Sequence, residues 1–143
     1  MPSEKILLQL QNMLLKAVLL GHALPGSSNP VRFPDLLFIK RQSVIFLLDK
    51  NLSGPILIEE LSRPIHVLSE AALFQESLKS GDVTFLQFQS PEDSGDEVTL
   101  TLDARIATQD IHQQTLGLST ISVTFFQGAD GWRLKEEPLY SAS

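Results

Sequence analysis

The sequence predicts an α+β fold in which a long N-terminal helix packs on a curved antiparallel sheet, with one short helix besides. Three observations carry that prediction. A leucine-rich segment of helical spacing opens the chain, two strictly alternating stretches follow in its second half, and Gly, Pro, Asn and Asp cut the remainder into short pieces. With 143 residues, of which 43% are hydrophobic and 20% charged, the composition is that of one globular unit spanning 1–143.

The first helix is expected over about Ser3 to Leu20, stopped by Gly21, Pro25 and Gly26. Its apolar residues form two neighbouring stripes, one through Ile6, Leu10, Met13, Leu14, Ala17 and Leu20 and one through Leu7, Leu8, Leu15, Val18 and Leu19. One packing contact needs less. Either the helix lies in a sheet's concavity, covered on two sides, or one stripe meets a second subunit. Lys5 and the leucine run have a flavour of a signal peptide, but Glu4, Gln9, Gln11, Asn12 and Lys16 interrupt it. A cytoplasmic protein without a membrane span is the expectation.

Residues 21–35 read as a linker, with Val31 and Phe33 as anchors. Leu36 to Ile39 and Val44 to Leu48 are short apolar runs that suggest two strands or a hairpin. Asp49 to Pro55 is turn-like, and Ile56 to Ile58 and Ile65 to Leu68 look extended, each introduced by a proline as befits an edge or a strand start. Ser69 is an N-cap, with Glu70 in the first turn where the helix dipole favours an anion. The short, peripheral helix that follows carries Ala71, Phe74 and Leu78 on one face and closes at Ser80 and Gly81.

The clearest signal lies in a meander over about 83–137. Val98, Leu100, Leu102, Ala104 and Ile106 alternate with Thr99, Thr101, Asp103 and Arg105, and Ile121, Val123 and Phe125 alternate with Thr120, Ser122 and Thr124. Val83 to Phe88 precedes this pair, while Asp130-Gly131 signals a tight hairpin leading to Trp132 and Leu134. Asp110 to Gly117 is a Gln-rich connection placed to form a pocket rim, and 138–143 is a short tail. A long first helix, a short second one and a meander ending in Phe125, Phe126, Asp130, Gly131, Trp132 and Leu134 resemble the cone-shaped roll of the NTF2-like and cystatin-like superfamily. That superfamily includes small hydrolases and isomerases as well as non-catalytic binding or dimerising modules, so the resemblance implies a roll and no single activity.

The net charge of -6 opposes binding to nucleic acid or anionic lipid. With no cysteine there is no disulfide, thiolate metal site or cysteine nucleophile. His22, His66 and His112 lie far apart and outside any metal-ligand spacing. Glu92, Asp93, Asp96 and Glu97 lack the EF-hand spacing and read as a solvated hairpin tip, while Glu59 and Glu60, adjacent on a strand, point to opposite faces. Asp103 and Arg105 read as an outward surface ion pair. Neither a phosphate-cradling loop nor a nucleophile elbow is present.

No catalytic residue, metal ligand or cofactor is therefore assigned. The leading expectation is a non-catalytic binding or protein-interaction module, homodimeric, presenting its Thr-rich outer face or the apolar mouth of its roll. The alternative is a small enzyme or a binder of a small apolar ligand, with a pocket lined by Phe85, Phe88, Phe125, Trp132 and His66.

Overall fold

The computed structural model describes residues 3–33, 39, 41–58, 61, 63–108 and 115–142. Helix α1 (Glu4–Leu20) begins where the Ser3 hydroxyl accepts the Ile6 N–H and ends at Gly21, whose φ of 68° places it in the left-handed region. Helix α2 (Glu70–Ser80) is capped in the same way, the Ser69 hydroxyl accepting from Ala72 N–H. Between and after the helices run β1 (Ile45–Leu48), β2 (Ile65–Leu68), β3 (Val83–Phe88), β4 (Glu92–Asp93), β5 (Glu97–Ala107), β6 (Thr115–Gly128), β7 (Gly131–Leu134) and β8 (Leu139–Ala142). The fold is α+β.

The eight strands form one curled sheet in the order β2-β1-β3-β5-β6-β7, with β4 added beside β5 and β8 beside β6. From β3 onward the pairing is antiparallel, as the alternating pattern and the tight turns require. The turn between β6 and β7 is a hairpin at Asp130-Gly131, where Gly131 has a φ of 108°. At the other edge the sheet is mixed, since β1 lies parallel to both β2 and β3. β1 thus takes both its partners from later strands by parallel crossovers, which short apolar runs cannot announce.

Further corrections concern the middle and the end of the chain. Ile39 is helical and buried rather than extended, and positions 36–38 lie outside the described residues. Ile56 to Ile58 joins no strand pairing, whereas Ile65–Leu68 does form the edge strand that Pro64 introduces. The tail expected over 138–143 contains β8, paired along Ser119 to Ser122 of β6. On α2 the inward face is Leu73, Phe74 and Ser77, while Ala71 is exposed and Leu78 is 67% exposed.

Burial divides the molecule into two apolar clusters, one on each face of the sheet. The larger gathers Leu10, Leu14, Leu15, Val18 and Leu19 of α1 against Leu86, Phe88, Leu100, Leu102, Val123 and Phe125, with the loop anchors Val31 and Phe33 closing it. The smaller gathers Leu73 and Phe74 of α2 with Leu48, Val83, Phe85 and Ala107. The broad apolar arc of α1 is therefore covered within the chain over the helix's second half. Among the described residues, no helix is long and apolar enough to cross a membrane.

Candidate functional site

Gln11 and Asn12, two of the residues that break the leucine run, tie the segment 51–58 to α1. Gln11 is fully buried; its side-chain NH2 donates to the Asn51 carbonyl at 2.7 Å and its Oε1 accepts the Ser53 N–H at 3.0 Å. One step further along, Asn12 Oδ1 accepts the Leu57 N–H at 3.0 Å. Asn51, held at a φ of 63°, passes the connection on to the sheet by donating to the Phe88 carbonyl at 2.9 Å. Gly54 lies close under the helix, where a Cβ would stand 2.8 Å from Leu8 Cδ2 and displace that side chain. A side-chain amide in the middle of a helix thus substitutes for a strand pairing that this segment lacks.

The strapped segment, α1 and the β6–β7 hairpin enclose an open groove of about 940 Å³. Leu8, Met13, Ile58 and Trp132 give it apolar walls, and Lys5, Gln9, Lys16 and Asp130 also line it. Lys5 and Lys16 are separated by about 16 Å along the helix axis, so the groove follows three turns of α1. Leu57 is 78% exposed at its lip. Leu78 and Leu139 are exposed to a similar degree but do not line the groove.

The residues expected to line one pocket are dispersed. Phe88 and Phe125 are completely buried in the larger cluster, and Phe85 is buried in the smaller one on the opposite face. His66 lies exposed on β2, its ring edge-on to Phe46 at 6.3 Å. Trp132 is half-buried and lines the groove. The groove itself was hidden from pattern reading because its walls come from three distant stretches; the one available signal was the pair of amides, Gln11 and Asn12, set among leucines.

Asp103 and Arg105 also depart from expectation. Asp103 is buried, receives the Gln89 side-chain amide at 3.1 Å on both carboxylate oxygens, and accepts from Thr120 Oγ1 at 2.8 Å. Arg105 turns to Thr115 instead, donating through Nε to Oγ1 at 3.0 Å and through Nη2 to the carbonyl at 3.3 Å. The register shift between Ala104 and Arg105 sets Arg105 opposite Gly117, close to Thr115, while Asp103 stands opposite Thr120. The acidic stretch at 92–97 is a hairpin tip in which Asp93 Oδ1 accepts the Gly95 N–H at 2.9 Å. Among the described residues, no three His, Asp or Glu side chains gather as a metal-binding group. His112, Glu59 and Glu60 lie outside the described residues.

No family model, curated protein or solved structure matches this chain.

Proposed function

We propose that the chain is a non-catalytic interaction module that works as a cytoplasmic homodimer, the groove beside α1 receiving the Leu57 lip of a second copy. The observation that carries this reading is the position of a 78%-exposed leucine directly beside an apolar groove. A two-fold axis brings the same patch onto itself, so one surface that offers both a knob and a hole is self-complementary. The open form of the groove favours a protein occupant, since small ligands are held where most of their surface is enclosed. The absence of cysteine suits a reducing compartment.

Sedimentation equilibrium of the wild type and of Leu57→Asp tests the proposal. The wild type is expected at twice the chain mass and the variant at the chain mass, with unchanged circular dichroism. A wild type that remains monomeric at high micromolar concentration overturns it. The competing reading, a small-molecule binder or small enzyme, draws on Trp132 and the apolar walls, and native mass spectrometry of a monomer carrying a co-purified apolar molecule would favour it.

A further inference from the structure

A second cavity lies on the opposite face of the sheet, where α2 leaves β3, β5 and β6 partly uncovered. Its volume is about 310 Å³, and Lys50, Glu70, Gln87, Arg105 and Thr115 supply its polar lining above the ring of Phe85. Two cations thus meet one carboxylate in a chain whose overall charge is -6. Arg105 rises from β5, a central strand, and is half-buried. Its bonds to Thr115 use Nε and Nη2 and fix the plane of the guanidinium.

What Arg105 lacks, among the described residues, is a carboxylate within 4.0 Å. The acids named on this face already have partners, Glu70 within the cavity itself. Glu70 is bonded by Lys50 at 2.9 Å, and Asp103 is taken by Gln89 and Thr120. A half-buried guanidinium oriented by neutral acceptors, with an ammonium, an amide and a hydroxyl around the same small cavity, is the donor set that recognises an oxyanion. We infer that this cavity binds a small oxyanion, the carboxylate or phosphate group of a small molecule. Gln87 and Thr115 would add neutral hydrogen bonds, and Leu73 and Phe74 form part of the apolar lining. This site is independent of the groove on the other face.

Amide-detected NMR titrations of the full chain at low ionic strength, one with inorganic phosphate and one with succinate, test the inference. Saturable shifts are expected at Gln87, Arg105 and Thr115, and the tighter of the two probes identifies which oxyanion is preferred. Arg105→Gln should weaken that binding at least about tenfold, because a charge-assisted pair is lost. Lys50→Gln, at an exposed side chain, should weaken it several-fold, and Lys5→Gln, in the groove, should leave it unchanged. Shifts that grow without saturation, or that are equally strong in a folded Lys50→Gln or Arg105→Gln protein, overturn the inference.

Discussion

The two faces of the sheet use the same strands for opposite purposes. Toward α1, alternate residues of β5 and β6 are Val98, Leu100, Leu102, Ile121, Val123 and Phe125, all buried in the larger cluster. Toward the outside, the intervening residues pair across the strands through their hydroxyls, Thr99 with Thr124 at 2.9 Å and Thr101 with Ser122 at 3.3 Å. A seventeen-residue helix covers the first face, while the eleven-residue α2 covers only the end of the second, above Phe85. The area of helix laid on a face therefore decides whether its alternate residues are apolar or polar, and a partly covered face is where polar cavities remain.

Matched truncations would break this contrast most sharply. Leu14 and Leu73 are both buried leucines, one in each helix, with exposures of 0% and 1%. Leu14→Ala should destabilise by about 4 kcal/mol and Leu73→Ala by about 2 kcal/mol, since a short helix at the margin relaxes into the space more readily. Urea unfolding measures both, and equal losses would mean that the two clusters behave as one core.

Next in size is the strap on the α1 face. Gln11→Leu keeps the shape but strands the Asn51 carbonyl and the Ser53 N–H, so a loss of about 2 kcal/mol is expected. Hydrogen exchange should rise first at 51–58. If exchange there is unchanged, the two bonds do not hold the segment. On the outer face, Asp103→Asn exchanges an acceptor-only group for one that meets the Gln89 amide with another NH2. Thermal unfolding should reveal a loss of about 1–2 kcal/mol.

The smallest effect belongs to the exposed pair of Lys135 and Glu97, whose charged groups approach to 2.7 Å. The hydrogen bond to Glu97 and its negative charge hold the Lys135 ammonium above its ordinary value of 10.5. A raised value stabilises the fold fully below the unfolded value, and that contribution disappears as pH rises through the folded one. The difference between wild type and Lys135→Met in thermal midpoint should accordingly stay constant through the neutral range and shrink only in strong alkali. Added salt should reduce it.

Legibility in the sequence followed the physics of each element. Ser3, Gly21 and Ser69 mark helix ends through local hydrogen bonds and backbone freedom, so they are visible from neighbours alone. The β5 and β6 alternation is visible because one face is continuously buried. The parallel pairing of β1 with β2 and β3 was not, since both flanking residues of a short apolar run are compatible with several partners. Phe85 shows the same limit: its aromatic ring suggested a shared pocket with Phe88, yet two positions of odd separation on one strand point to opposite faces. The groove depends on tertiary placement of 51–58, for which the buried amide of Gln11 was the only local sign.

The proposed dimer has copies of the chain meeting on the α1 face, with its groove and the Leu57 lip, and not on the α2 face. Methyl-detected NMR of the wild type, diluted from high micromolar to low micromolar concentration, tests it most directly. Concentration-dependent shifts are expected at Leu8, Met13, Leu57 and Ile58, and constant signals at Leu48 and Leu73. Shifts confined to the exposed edge residues Val67 or Leu139, or signals that do not change with dilution at all, would contradict it.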